Sequence, residues 1–238
     1  MTEIRIDSQF NGPPGSGNGG YCNGLFAAAL ELEPGETAEV TLLSPPPLNQ
    51  PLTTRAADNG VDIFCGEVAV ARARPAQLDL THPAPPSLIA ATNAAKSYSG
   101  FEQHPFPGCF VCGTARTAGD GLRIYPGPVA DHSMVCAPWQ PFAGLADERG
   151  MIRHEFVWSA LDCPSYFGAF IEQPNLPALL GRQRLQIFQQ ELPVDLDYIV
   201  SAWPMGSEGR KRYGGSGLFD SAGKCLALAV GTWIVLQQ

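Results

Sequence analysis

The sequence contains few basic residues and no long apolar run. Of its 238 residues, 15 are lysine or arginine and 23 are aspartate or glutamate, which gives a formal net charge of −8. This charge makes nucleic acid and anionic membranes poor partners for the protein as a whole. Without a long uncharged apolar stretch, the sequence predicts no transmembrane helix. The first ten residues, MTEIRIDSQF, lack a basic region followed by an apolar core, so we predict no secretory signal and a cytoplasmic location.

The sequence also lacks a cysteine framework. Its seven cysteines are an odd number without the regular spacing of a disulfide-stabilised domain, so reduced and mostly buried thiols are expected. Cys109 and Cys112 form a CxxC pair, but zinc would need two further ligands, and His104 and Cys136 do not stand at a familiar spacing. A redox motif would need a strand–helix context that is missing. We therefore interpret the pair as a buried turn and predict no metal ion and no cofactor.

The most informative stretch is an apolar segment at residues 152–170, IRHEFVWSALDCPSYFGAF. Its apolar residues recur every three or four positions, as on one face of a helix. Two residues do not fit a plain buried helix. Asp162 places a carboxylate, whose charged form burial disfavours, inside the apolar run. Pro164 removes a backbone N–H, so we predict that the helix kinks or restarts there.

The two halves of the chain have the same predicted order of elements. In the first half a strand is predicted at 4–10, a loop at 11–20 and a helix at 20–32. Three strands follow, at 36–44, 51–58 and 63–74. A linker with a short helix follows, at 75–108 and 86–96. In the second half two strands, at 122–125 and 133–138, precede the helix at 152–170. Four strands follow it, at 182–190, 196–204, 210–219 and 225–236. The repeated plan predicts a duplicated α+β unit.

Three segments carry a resemblance to a known family. They are, in chain order, Asn18-Gly19-Gly20, CFVCGTARTAGDGLRI at 109–124, and Ala160-Leu161-Asp162 followed by Tyr166 and Phe167. Together they resemble the double hotdog proteins of the acyl-CoA thioesterase II type. The resemblance implies an α+β fold of the tandem (double) hotdog kind, in which long antiparallel sheets are each wrapped around a central helix. The two units are predicted at 1–100, including the linker, and at 101–238.

The resemblance further implies hydrolysis of an acyl-CoA thioester to a free acid and coenzyme A. Asp162 stands where the family carries its catalytic aspartate and would act as base or nucleophile, although a capping role is an equal alternative. Amides at the start of the first helix, reached through Gly19 and Gly20, could polarise the thioester carbonyl, or the turn could simply be a flexible cap. Asn18 and Tyr166 are predicted to contact the substrate.

The sequence departs from the family at several positions. Asn18 stands where histidine is common, residues 27–29 of the first helix carry no acid, and residues 229–232 lack the glutamine of the family's last strand. Because one half alone keeps an acid, we predict a single active site at the seam between the halves. Two other functions stay open: a non-catalytic acyl-CoA-binding protein, favoured by these losses, and an acyl thioester hydratase or dehydratase, for which the sequence has no motif.

Basic residues cluster at 210–212, Arg-Lys-Arg, in an otherwise acidic chain. Arg210 and Arg212 could hold the phosphates of coenzyme A, with a solvated hairpin as the alternative. Arg182 and Arg184, which alternate on one face of a strand, are weaker candidates for the phosphates. His154 could assist catalysis, with a surface or capping role as the alternative. Ser165 lies near Asp162 but forms no triad, because the sequence places no histidine beside it. Acyl-CoA is the expected partner, and the oligomeric state stays open between a monomer and a homodimer.

Overall fold

The computed structural model describes residues 3–130 and 132–237, so the outer bounds of the two predicted units, residues 1 and 238, lie outside the described residues. The helices are α1 (Gly19–Ala28), α2 (Leu88–Ala95), α3 (His154–Ala160) and α4 (Asp162–Ala169). The strands are β1 (Glu3–Arg5), β2 (Thr37–Leu42), β3 (Pro51–Ala57), β4 (Gly60–Cys65), β5 (Val68–Ala76), β6 (Gly127–Pro128), β7 (Val135–Trp139), β8 (Ala178–Ile187), β9 (Tyr198–Glu208), β10 (Lys211–Phe219) and β11 (Cys225–Val235). Within these ranges no helix is long and apolar enough to cross a membrane.

The strands join in one antiparallel sheet of 11 strands, in the order β1-β3-β4-β5-β2-β8-β11-β10-β9-β7-β6. The halves meet at the pairing of β2 with β8, each of which is the first strand after the long helices of its half. Outward from this pair, both halves run through their strands in the same order: β5, β4, β3 and β1 on one side, and β11, β10, β9 and β7 on the other. The sheet is therefore continuous across the seam.

Charged residues stabilise the seam on the outer face of the sheet. Arg184 on β8 pairs with Glu39 on β2, with 2.6 Å between Nη2 and Oε2. Arg182 contacts the same glutamate at 3.6 Å and donates from Nε to Thr41 Oγ1 at 3.1 Å. These two arginines, weak sequence candidates for phosphate binding, are thus engaged in joining the halves.

The helices α1 and α3 approach each other closely because α1 presents glycine to α3. Gly20 and Gly24 lie one turn apart, on the same face of α1. A Cβ on Gly24 would overlap Glu155 Cα and lie 2.8 Å from Glu155 Cβ. A Cβ on Gly20 would overlap Asp162 Cβ and lie 2.7 Å from the Trp158 carbonyl oxygen. Side chains larger than hydrogen at these positions would push the two helices apart.

The predicted helix at 152–170 is two helices, and the break differs from the prediction. The backbone leaves helical geometry at Leu161 (φ −100°, ψ 0°), and α4 starts afresh at Asp162. Pro164 is therefore the third residue of α4 and lies in its first turn. Backbone N–H groups of the first turn have no acceptor within the helix, so proline removes no helical hydrogen bond there. Ser216 Oγ donates to the Leu161 carbonyl oxygen at 2.7 Å and so satisfies a backbone group at the break.

Four other predicted elements differ from the structure. Residues 63–74, predicted as one strand, contribute to two, β4 and β5, which are separated by a turn at Gly66 (φ 59°). The strand predicted at 4–10 ends at Arg5. A short 3-10 turn follows it, in which Asp7 Oδ1 acts as the cap by accepting the Gln9 N–H at 2.9 Å. Residues 122–125 do not form a strand: Arg123 has φ 54°, and Ile124 N–H donates to the Val111 carbonyl oxygen instead. The first helix ends at Ala28, short of the predicted Leu32. The short helix predicted at 86–96 is confirmed as α2.

We predict that Gly24→Ala destabilises the protein by about 1–3 kcal/mol, because the added methyl group overpacks the contact with α3. Helix propensity alone would predict a more stable protein, because alanine in a helix interior is more favourable than glycine by about 1 kcal/mol. The control is Gly108→Ala, where the nearest atom to an added Cβ is Asn11 Nδ2 at 3.8 Å. Urea unfolding of both variants measures the difference, and equal stability would contradict the close helix contact.

Candidate active site

Asp162 links the start of α4 to the start of α1. Its Oδ2 accepts the Gly20 N–H at 2.8 Å and the Asn18 Nδ2 amide at 2.9 Å. Asn18 is itself the N-cap of α1, since its Oδ1 accepts the Tyr21 N–H at 2.9 Å. The carboxylate of one half therefore lies at the N-terminus of the helix of the other half, where the helix dipole favours an anion.

Burial sets the electrostatics of this carboxyl group. Asp162 is 2 % exposed. Burial raises the pKa of Asp162 to about 7, against the hydrogen bonds from Gly20 and Asn18, which lower it. Both of those bonds reach Oδ2. In the described part of the chain, Oδ1 is buried without a hydrogen-bond partner, so this oxygen is free to bind a small polar group.

Gly20 positions Asp162, which corrects the role expected for it. Its N–H donates to Asp162 Oδ2 and is therefore not available for a carbonyl oxygen. The absence of a side chain at Gly20 is what lets the carboxylate approach the amide so closely, because a Cβ there would overlap Asp162 itself.

Asp162 lies in the wall of a cavity of about 390 Å³ at the seam between the halves. The wall is mainly apolar and is formed by loop, helix and strand residues of both halves. Asn18, Gly19 and Tyr166, all predicted as site residues, line the same cavity. The larger apolar side chains of the wall include Leu42, Pro46, Phe106, Phe167, Leu180 and Trp233. Such a space accepts an apolar group and presents a carboxylate to it.

Gly19 is a predicted backbone donor that lines this cavity. As the first residue of α1 it has no intrahelical acceptor for its N–H. None of the described residues accepts a hydrogen bond from it. A Cβ on Gly19 would lie 2.8 Å from Leu180 Cδ2, so glycine keeps the backbone accessible between the helix and β8.

Tyr166 contributes its ring to the wall, while its hydroxyl group is engaged elsewhere. The hydroxyl lies 2.9 Å from the Pro174 carbonyl oxygen and 2.8 Å from that of Leu176, either of which accepts its proton. Burial raises the pKa of Tyr166 to about 12. The ring packs edge-on against Trp233, with 5.3 Å between centroids. Tyr166 is therefore placed for apolar contact with a ligand.

Ser165 holds the backbone of Asp162, and among the described residues no general base forms a hydrogen bond with its hydroxyl group. Its hydroxyl donates to the Asp162 carbonyl oxygen at 2.7 Å and accepts from Trp233 Nε1 at 2.9 Å. Gly231 leaves the room for this contact, since a Cβ there would lie 2.8 Å from Trp233 Nε1. The indole, the serine and Asp162 thus form one fixed unit in the cavity wall.

Arg210 and Arg212 lie apart from this group, at the turn between β9 and β10. Neither residue lines the cavity. Arg212 donates from Nη1 to the Gly209 carbonyl oxygen at 2.9 Å, and it pairs across the strands with Trp233, which does line the cavity. The turn is therefore one strand away from the cavity wall.

A buried glutamine lies beside residues 229–232, the strand segment that lacks the glutamine of the resembled family. Gln183 on β8 pairs with Gly231 on β11 and is fully buried. Its Nε2 donates to the Trp158 carbonyl oxygen at 3.0 Å, and its Oε1 accepts from Asn23 Nδ2 at 3.3 Å. Gln183 joins β8 to α1 and α3 and does not line the cavity with Asp162.

His154 and the cysteines fall on different sides of the molecule. His154 lines a second cavity, of about 300 Å³, together with Glu31, Glu33 and Glu36, and so does not assist Asp162. By contrast, His104, Cys109, Cys112 and Cys163 all line the cavity that holds Asp162. The sequence pattern indicated the CxxC pair but not Cys163, whose place beside it depends on the packing of α4.

Comparison with solved structures identifies the architecture. The sequence itself matches no protein-family model and no curated protein. A TesB protein of Mycobacterium avium subspecies paratuberculosis superposes with a TM-score of 0.64 and 10 % identity, over 99 % of this chain and 92 % of the other. A conserved protein with a hot dog fold from Alicyclobacillus acidocaldarius gives 0.57 and 9 %, over 99 % and 93 %. The chain has a hotdog fold.

The predicted resemblance to thioesterase II is confirmed for this hotdog chain as a likeness of fold. An acyl-CoA thioesterase II, TesB2, of Mycobacterium marinum superposes with a TM-score of 0.58 and 10 % identity, over 99 % of this chain and 93 % of the other. Identities this low carry over no residue roles. The roles of site residues in this hotdog chain therefore have to be argued from its own geometry.

We predict that Asn18→Ala costs more stability than the loss of an ordinary helix cap. The substitution removes the cap of α1, worth about 1 kcal/mol, and also leaves buried Asp162 with one donor fewer, at a further cost of about 1–3 kcal/mol. The matched control is Ser87→Ala, which removes the exposed cap of α2, where Ser87 Oγ accepts the Ala90 N–H at 3.3 Å. Equal losses in urea unfolding would show that the bond from Asn18 to Asp162 contributes no stability.

Proposed function

We propose that the protein is an acyl-CoA thioesterase, which hydrolyses an acyl-CoA thioester to a free acid and coenzyme A. The observation that carries the proposal is a buried carboxylate in the wall of an apolar cavity of about 390 Å³, with one oxygen held by two donors and the other free. An apolar cavity suits an acyl chain, and the free oxygen suits a water molecule. The likeness of fold to thioesterase II proteins supports the same reading.

In this mechanism Asp162 activates water. Asn18 and Gly20 hold Oδ2, so Oδ1 accepts a proton from a water molecule as its oxygen attacks the thioester carbonyl carbon. The negative charge that develops on the carbonyl oxygen is stabilised by the Gly19 N–H and by the N-terminal dipole of α1. Collapse of the tetrahedral intermediate breaks the carbon–sulfur bond, and the proton on Asp162 passes to the leaving thiolate of coenzyme A.

The proposal includes a tandem arrangement of two hotdog units, 1–100 and 101–238. It is supported by the strand order shared by the two halves and by the pairing of β2 with β8. The active site would lie between the units, because Asp162 comes from the second and its donors Asn18 and Gly20 come from the first. A reducing compartment such as the cytoplasm is proposed, since all seven cysteines are free thiols.

Coenzyme A would extend from the cavity toward the β9–β10 turn. Arg210 is exposed there, and Arg212 is next in register to the cavity residue Trp233. Two guanidinium groups in an acidic chain favour a phosphate-bearing ligand at this end of the cavity. The adjacent Lys211 is paired with Glu208 at 3.5 Å and is the weaker candidate.

We predict that Asp162→Asn lowers kcat for acyl-CoA hydrolysis by about a hundredfold or more, the scale of a general base. Asparagine keeps an oxygen for the Gly20 and Asn18 donors, so urea unfolding should show little loss of stability. The assay is steady-state release of coenzyme A from a panel of acyl-CoA chain lengths. Activity that persists in Asp162→Asn would reduce Asp162 to a helix cap.

The wild-type protein distinguishes the remaining functions. Turnover of no acyl-CoA in the panel, with acyl-CoA binding retained, would replace the enzyme by a non-catalytic acyl-CoA-binding protein. Hydration of an enoyl-CoA without release of coenzyme A would instead indicate a hydratase.

We predict that replacing both Arg210 and Arg212 by glutamine raises KM for acyl-CoA with little change in kcat, because phosphate contacts are made equally in ground and transition states. The salt dependence of kcat/KM should weaken in the same variant. The control replaces Arg5 and Arg55, two arginines on β1 and β3 of the opposite end of the sheet. An unchanged KM in the Arg210/Arg212 variant would assign the turn to solvent.

A further inference from the structure

Three thiols converge beside Asp162. The sulfur atoms of Cys109, Cys112 and Cys163 all lie within 4.8 Å of one another, and those of Cys109 and Cys163 are 3.6 Å apart. In a tetrahedral zinc site with Zn–S bonds of about 2.3 Å, neighbouring sulfur atoms are about 3.8 Å apart. All three residues are buried. The Cys109–Cys163 distance is close to this value, and the other two sulfur–sulfur distances are at most 4.8 Å.

A tight backbone turn carries both cysteines of the CxxC pair. It begins where the Cys109 N–H donates to the Phe106 carbonyl oxygen at 2.8 Å. Gly113 closes the turn by donating its N–H to the Cys109 carbonyl oxygen at 2.9 Å. A Cβ on Gly113 would overlap that oxygen, so the tight turn requires the glycine after the second cysteine. Asn18 Nδ2 lies 3.9 Å from both Cys109 Sγ and Cys163 Sγ, as an outer-shell donor would.

The surroundings lack a cation to balance these groups. Of the described residues that line the cavity, His104 is the one basic side chain, although the wall also contains Asp162 and the three thiols. His104 Nε2 lies 3.3 Å from Cys112 Sγ, which makes it a candidate for a further ligand. Its Nδ1 accepts the Phe106 N–H at 2.9 Å, and that bond would have to be given up if Nε2 bound a metal, since Nδ1 must then carry the proton.

From this geometry we infer that Cys109, Cys112 and Cys163 bind one zinc ion, with His104 beside the fourth position. Thiolate ligands with a CxxC spacing select zinc among the common divalent ions. On binding, each thiol loses its proton to solvent and each sulfur donates an electron pair to the metal. The ion would tie the 104–112 loop to α4 at the residue after Asp162, and so fix the position of that carboxylate.

The test measures metal directly and does not depend on enzymatic activity. Tag-free protein, prepared without chelator and with zinc in the growth medium, is assayed by inductively coupled plasma mass spectrometry. We expect about one zinc per chain in the wild type and in Cys136→Ala, which removes an equally buried thiol outside the cluster. Cys109→Ala/Cys163→Ala should retain almost none. Zinc retained by that double variant, a metal-free wild type, or a Cys109–Cys163 disulfide in its peptide map would overturn the inference.

A second measurement needs no variant and so avoids any failure to fold. Chelator-treated wild-type protein is titrated with cobalt(II), whose thiolate complexes absorb strongly by ligand-to-metal charge transfer. We expect absorption that saturates at one equivalent, and a melting temperature that chelator lowers and that zinc, but not magnesium, restores. No charge-transfer absorption, or a melting temperature indifferent to chelator and zinc, would contradict the site.

Discussion

The hydrogen bond from Gly20 N–H to Asp162 Oδ2 is the contact on which the rest of the site depends. It is made between the first helix of one half and the last helix of the other, at 2.8 Å. It requires glycine at position 20, a break in the helix just before Asp162, and Pro164 in the first turn of α4. The same contact directs one carboxylate oxygen into hydrogen bonds and leaves the other free. A change in any of these residues would therefore alter both the packing of the helices and the chemistry of the cavity.

The close packing of the helices, against each other and against the sheet, depends on small residues. Gly24 allows α1 to approach α3, and Gly168 and Gly214 allow α4 to lie against β9 and β10, where an added Cβ at either position would meet backbone atoms. The helices are consequently held against the inner face of the sheet at short range. Large side chains line the cavity itself, where Phe167 and Trp233 enclose an apolar space next to the buried acid.

Much of the fold was predictable because the periodicity and spacing of apolar residues are local properties of the sequence. The apolar face around 152–170 predicts buried helices, and the long alternating stretches after it predict the strands of the second half. The exact break at Leu161 was not predictable, because proline is compatible with both a kink and a first turn. Residues 122–125 alternate like a strand, yet they bond to the CxxC turn, a non-local partner that periodicity does not indicate.

The candidate site was predictable in part for the same reason. Asp162 and Asn18 stand out as polar residues in apolar or glycine-rich surroundings, and the structure brings them within 2.9 Å of each other. Gly20 was assigned to a carbonyl oxygen because a sequence cannot tell which acceptor an orphan amide will meet. Cys163 was counted as one apolar position of a helix, and its convergence with Cys109 and Cys112 follows from tertiary packing alone.

A crystal structure with a ketone analogue of acyl-CoA, in which a methylene group replaces the thioester sulfur, would show whether Asp162 meets the carbonyl group of a bound acyl chain. We expect the acyl chain to fill the cavity lined by Phe167 and Trp233. The ketone oxygen should then lie within hydrogen-bonding distance of the Gly19 N–H, with a water molecule between Asp162 Oδ1 and the carbonyl carbon. An analogue bound elsewhere, for instance in the cavity beside His154, with Asp162 out of reach of its carbonyl group, would contradict the proposed role of Asp162.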